Sequence, residues 1–224
     1  MQWLVFLLIL VRTQYAPYWI PAGSMAPTLV PGDYMLAPYA TPESLSRGDV
    51  VVFRHPVTGV HFVKRLVGLP GDTVQMRQGK AVLNGVVLPQ VPEGADIVPF
   101  VRQGPAGNFP RCANGPVGEG DDCRADRYRE MLPDGRSWQV LNIDDNGFAD
   151  TTELFTVPPG HAFLLGDNRD NSQDSRFGQV NGGMGFVPLK NIFARPQLVL
   201  FSAAGPSLLA VWTWRPARFF EGVQ

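Results

Sequence analysis

Short apolar runs separated by Gly, Pro, Asn and Asp set the pattern of this chain, and no stretch sustains a helical period. Such runs, bounded by turn formers, read as strands. The first lie at Thr28–Leu36, Asp49–Arg54 and Val60–Leu66, with turns at Pro31-Gly32-Asp33, Arg47-Gly48-Asp49 and Pro70-Gly71-Asp72. Val74–Met76, Lys80–Leu83 and, after Asn84-Gly85, Val86-Val87-Leu88 form a hairpin series. A turn at Pro158-Pro159-Gly160 leads into an apolar strand ending at Leu165, and Phe186–Pro188 and Ile192–Phe201 close the pattern. The pattern predicts a mostly β fold of antiparallel sheets.

Three regions depart from it. Trp3–Val11 is an unbroken apolar run, shorter than the about 20 residues a membrane span needs. It reads as a buried segment, as a leader without the usual basic start, or as the end of a membrane helix that Tyr15, Tyr18 and Trp19 help to the interface. Pro17 and Pro21 stop any helix there. From about Pro89 to Asp150 Gly, Pro, Asp, Asn and Arg dominate, which reads as an irregular insertion. The tail, Leu208–Trp214 with Phe219 and Phe220, is aromatic; Leu209 and Val211 are expected in the core, and the Trp pair against a bilayer surface.

Composition narrows the classes. A chain of 224 residues suits one domain, or one domain carrying an insertion. A formal charge of −1 with no basic patch argues against nucleic acid as partner. Two cysteines, with His161 far away in sequence, make no metal site, and no cofactor is expected.

Candidate chemistry sits in two stretches. Ile20–Leu29 holds Ser24 in a tight Pro/Gly setting, and Phe62–Asp72 holds Lys64 inside an apolar strand. Alternation puts Lys64 on a face with Val60, Phe62 and Leu66, and sends His61, Val63 and Arg65 to the other. A lysine can serve as the base of a hydroxyl nucleophile only when its amine is neutral, and burial favours the neutral form. Each residue also has a plainer reading: a turn serine, and a lysine whose ammonium reaches back to water.

Together with Arg47–Phe53 and the polar run Gly166–Arg176, these stretches resemble bacterial type I signal peptidase, in that family's order. The resemblance implies a Ser-Lys dyad of Ser24 and Lys64, with Ser172 orienting the lysine and Asp174 and Arg176 supporting the site. The Ser24 backbone N–H is one implied oxyanion donor. Many relatives place a second donor, a serine hydroxyl, where Ala22 stands, and losing such a donor costs about 2.7–4 kcal/mol. Tyr18, Ile20, Pro21, Ala22, Leu29, Val52 and Val63 are implied walls of the substrate pocket.

The same resemblance implies a membrane anchor over residues 1–14, a catalytic β-domain over 15–76 and 158–224, and an inserted irregular domain over 77–157. It places the chain at the bacterial inner membrane with its catalytic part on the exported side. Its partners are then the signal peptides of exported preproteins, cut after a small-x-small sequence, and the lipid surface. In an exported, loop-rich segment Cys112 and Cys123 suggest a disulfide, with two free thiols the alternative. A conjugation or pilus maturation peptidase and a non-catalytic membrane-tethered binding module remain as other readings.

Overall fold

The computed structural model of the chain describes residues 14–224. The anchor expected over residues 1–14 falls outside these, apart from its last residue. Among the described residues, no helix is long and apolar enough to cross a membrane.

The described part begins with β1 (Tyr15–Trp19), makes a 3-10 turn at Gly23–Met25 and returns as β2 (Asp33–Pro38). This second strand starts later than the apolar run suggested, because Pro31 and Gly32 turn the chain first. Then comes the hairpin of β3 (Val50–Arg54) and β4 (His61–Gly68), followed by β5 (Thr73–Arg77), β6 (Lys80–Leu83) and β7 (Val86–Val87). The middle of the chain supplies β8 (Gln90–Pro99), β9 (Asp122–Met131) and β10 (Ser137–Asn142). The remainder carries β11 (Phe155–Thr156), β12 (His161–Leu165), β13 (Val187–Pro188), β14 (Ile192–Ala194), β15 (Leu198–Ser202) and β16 (Glu221–Gly222).

Four sheets result, ordered β1-β2-β15-β16, β13-β12-β4-β3-β14, β11-β5-β6-β7 and β10-β9-β8. The second positions the site. β4 lies at its centre, antiparallel to β3 on one side and to β12 on the other. Apolar clusters cover it on more than one face: Leu66 packs with Val51 and Leu164, Val67 with Val74 and Phe163. A strand buried this way keeps both faces dry, so Lys64 and Arg65 are both buried although alternation sends them opposite ways.

Residues 89–150 are more ordered than their composition suggested. The stretches between β8 and β9 and after β10 are irregular; the rest forms a three-stranded sheet and its turns. β9 does alternate, with Cys123 and Ala125 inward and Asp122, Arg124 and Asp126 outward. Its buried residues are small or, at Glu130 beyond the alternating stretch, acidic, so no apolar stripe is visible in the sequence. Trp138 and Val140 of β10 complete the core around Val67 and Phe163. Cys112 and Cys123 are bonded to each other.

The tail departs from expectation. Leu209 and Val211 are exposed rather than core residues. The free side of the neighbouring strand β15 pairs with β16, the tail's own last strand, so the residues leading to it lie outside the sheet. It crosses the surface in 3-10 turns instead, held by Trp214 and Phe219 against Phe201. Val60 also stays exposed, just outside β4.

A buried ion pair ties these parts together. Arg65 forks onto Asp167 through two hydrogen bonds of 2.7 and 2.6 Å, with Thr28 donating to the same carboxylate at 2.6 Å. The guanidinium also lies 4.7 Å from the centre of the Trp138 ring. Removing one partner of a buried pair strands the other charge. Asp167→Ala is therefore expected to cost about 3–5 kcal/mol of stability, read from urea denaturation. A loss below about 1 kcal/mol, the range of an exposed pair, would show that the pair is not part of the core.

Candidate active site

Ser24 stands in the 3-10 turn that follows β1. Ala22 ahead of it is extended, and Met25 behind it is buried in the cluster containing Ile20 and Leu29. That apolar plug fixes the turn. The leading N–H groups of a helical turn have no partner within it, so the Ser24 N–H is available to a ligand.

Lys64 reaches Ser24 from β4, whose register sets Val51 beside it and Leu165 of β12 opposite Arg65. Its Nζ lies 2.5 Å from Ser24 Oγ. The side chain is 2% exposed. Burial is the main reason its pKa falls from 10.5 to about 8; Asp174 and Asp167 pull it back up, and Arg176 pushes it down. Among the described residues no carboxylate forms an ion pair with it, in contrast to its neighbour Arg65. At this pKa an appreciable share of the amine is neutral near neutral pH and can accept the Ser24 proton.

The polar run after β12 closes the site. Gly166 lets it in: a Cβ there would lie 2.6 Å from the Ser24 carbonyl oxygen and 2.2 Å from Ser172 Oγ. The Asn168 N–H then donates to that carbonyl at 3.1 Å. Asp174 accepts from the Gly166 N–H and from two nitrogens of Arg176, whose guanidinium also holds the Arg169 carbonyl. Burial pushes the Asp174 carboxyl up, but Arg176 outweighs it and leaves the group below the usual carboxylate range. Arg169 in turn pairs with buried Glu130 of β9.

Ser172 lines the same cavity as Ser24 and Lys64. Its hydroxyl is buried without a hydrogen-bond partner, so the bond to Lys64 that the resemblance implied is not made. The reason is local: the side chain packs against Gly166 while Nζ turns onto Ser24. Among the implied pocket residues Tyr18, Ile20, Leu29, Val52 and Val63 form one apolar cluster. Leu29 and Val52, both at 0% exposure, back the wall instead of facing a ligand. Pro21 and Ala22 are exposed, and Ala22 borders the cavity.

The cavity, about 730 Å³, also includes Phe62, Phe148 and Phe177, which sequence reasoning passed over. Phe62 had a signal, since it shares the alternating face of Lys64; Phe148 and Phe177 had none. No histidine contributes: the His55 ring accepts backbone N–H bonds from Val57 and Thr58, and His61 packs beside Tyr18 and Phe193.

A hydroxyl held against a buried, weakly basic amine, with an open N–H beside it, has the parts of a nucleophilic hydrolase. Comparison with known proteins points the same way. Residues 1–201 match the family model described as signal peptidase, peptidase S26. The chain is 32% identical over 216 residues to signal peptidase I of Rickettsia prowazekii, covering 83% of this chain and 72% of that protein. It is 31% identical over 228 residues to signal peptidase I of Aquifex aeolicus, covering 92% and 84%. A crystal structure of a signal peptidase I from Enterococcus faecalis aligns over 66% of this chain and 92% of its own, at 24% identity and a TM-score of 0.33. The chain belongs to the signal peptidase family, peptidase S26.

The lowered pKa makes a stability prediction. Between about 8 and 10.5 the folded chain binds fewer protons at Lys64 than the unfolded chain, so folding gains as pH rises through that window. Below it the full penalty of burying the charge applies. Lys64→Met should thus be the more stable form at pH 7, by up to roughly 3 kcal/mol. Its advantage should fade as pH approaches 10.5. Urea melts at several pH values measure this, and a difference independent of pH would contradict the burial of a titrating amine.

Proposed function

We propose that this chain is a membrane-bound serine endopeptidase that removes signal peptides from exported preproteins, with Ser24 as nucleophile and Lys64 as general base. The observation that carries the reading is the 2.5 Å approach of a buried amine to Ser24 Oγ. Family membership supplies the substrate class.

Neutral Lys64 takes the Ser24 proton as Oγ attacks the scissile carbonyl. The oxyanion of the tetrahedral intermediate turns to the Ser24 N–H. Lys64, now charged, gives its proton to the departing amine, and the signal peptide is left as an acyl ester on Ser24. Water then attacks the ester, loses a proton to Lys64, and the proton returns to Oγ as the acid leaves. In the charged phases the ammonium carries three donors. Ser172 Oγ, buried and unpartnered in the same cavity, is the acceptor we assign to orient it. Asp174 and Arg176 hold the loop that carries Ser172.

Small residues before the cut fit the apolar side of the cavity beside Ser24, where Ala22 and Phe62 stand. The exposed Leu209, Val211 and Trp212 make an apolar ledge suited to the bilayer surface, where Trp is favoured. That surface is where a signal peptide presents its end, and the reading puts the catalytic part on the exported side of the bacterial inner membrane.

Incubation with a preprotein tests the chemistry. The parent chain should cut once, after a small-x-small sequence, while Ser24→Ala and Lys64→Ala should lose at least about a thousandfold in kcat/KM. Below pH about 8 the parent's kcat/KM should rise close to tenfold per pH unit and level off above it. Undiminished cleavage by either variant would remove the dyad.

Membrane contact is separately testable. Leu209→Ser with Trp212→Ser should reduce flotation of the described part with anionic lipid vesicles, leaving its circular dichroism unchanged. Equal flotation of parent and variant would free the ledge from that role.

A further inference from the structure

Two cavities meet at Ser24. The first, described above, holds Phe62 and Lys64. The second, about 340 Å³, runs between the turn at Gly23–Ser24 and the sheet formed by residues 89–150, with Val98, Phe109 and Arg111 on its far wall. Ala22, Ser24, Arg111 and Asn171 border both.

A peptide whose carbonyl faces Ser24 Oγ must run away from it in two directions, one for each side of the bond to be cut. The two cavities offer unlike surroundings. The first is lined by Ala22 and by the rings of Phe62, Phe148 and Phe177, which suits the apolar end of a signal peptide. The second takes no side chain from β4, and Arg124 joins the shared Arg111 on its wall. We propose that the second cavity binds the residues that follow the scissile bond, and that Arg111 selects acidic over basic side chains there. This rests on the endopeptidase reading given above.

Arg111 is built for the task. It is exposed, and its guanidinium donates to the Asp170 carbonyl at the edge of the catalytic loop. That bond uses one of five donors and leaves the charge unneutralised. Among the described residues no carboxylate forms an ion pair with it. Its backbone is anchored from the other side, because the next residue, Cys112, is bonded to Cys123 of β9. The guanidinium is thus tied at both ends beside the nucleophile. Arg124 adds a second exposed cation to the same wall. The one acid lining this cavity, Asp96, lies 3.9 Å from Arg127, which offsets it. The formal charge of the lining is therefore positive.

Matched peptides carrying one small-x-small site, with Glu or Lys at the second residue after the cut, test this. The parent chain should process the Glu peptide with a kcat/KM about fivefold above that of the Lys peptide, as an exposed ion pair allows. The ratio should fall to about one in Arg111→Gln and drop below one in Arg111→Glu, and the parent's preference should weaken with salt. Moving the Glu/Lys pair to a position before the cut should abolish any dependence of the ratio on residue 111. A ratio equal in all three enzymes would overturn the proposal, as would a dependence on residue 111 for charges placed before the cut. In both cases cleavage that Ser24→Ala abolishes would leave the endopeptidase reading intact. Failure of the parent chain to cut either peptide would overturn both.

Discussion

The structure depends on keeping one amine out of water without giving it a counter-ion. Lys64 and Arg65 are adjacent on β4, both buried, and treated in opposite ways. Arg65 receives a full carboxylate fork from Asp167. Lys64 meets only the neutral hydroxyl of Ser24, while Asp174 acts on it from beyond hydrogen-bonding reach, already claimed by Arg176. A direct carboxylate would hold the lysine charged and make it useless as a base. The fold spends its buried acids on arginines, which cannot lose their charge, and leaves the buried lysine unpaired.

Three buried arginine–carboxylate pairs make this possible. Arg65–Asp167, Arg169–Glu130 and Arg176–Asp174 all involve the loop after β12. Each fork fixes direction as well as distance. One pins the loop to β4, one to β9, and one folds it on itself. The sheet of residues 89–150 is accordingly part of the site's foundation: Leu141 donates to the Asp167 carbonyl, and Trp138 covers Arg65.

How much of this was legible in the sequence follows from the physics of each part. The strands of the central sheet were, because apolar runs between Gly and Pro turns leave few alternatives. Ser24 and Lys64 were, because the order of four motifs singled them out from an ordinary turn serine and an ordinary strand lysine. The burial of Arg65 was not: alternation assigns a side, and only tertiary contact shows that both sides of β4 are covered. β8 and β9 were missed because their inward positions hold Cys123, Ala125 and Glu130 in place of large apolar residues. The tail was misjudged at Leu209 and Val211, since sequence does not reveal that β15 pairs with the short strand at Glu221–Gly222 and not with the apolar run before it. Leu29 and Val52 were placed one layer too close to the ligand.

Gly166 separates two moments in the life of the chain. Ser24 and Lys64 are made early, within the first third, but the backbone that seals them arrives only after residue 165. Without that segment water would reach the amine and favour its protonated form. On the reading proposed above, a half-synthesised or half-translocated polypeptide would carry both reactive groups yet stay inert.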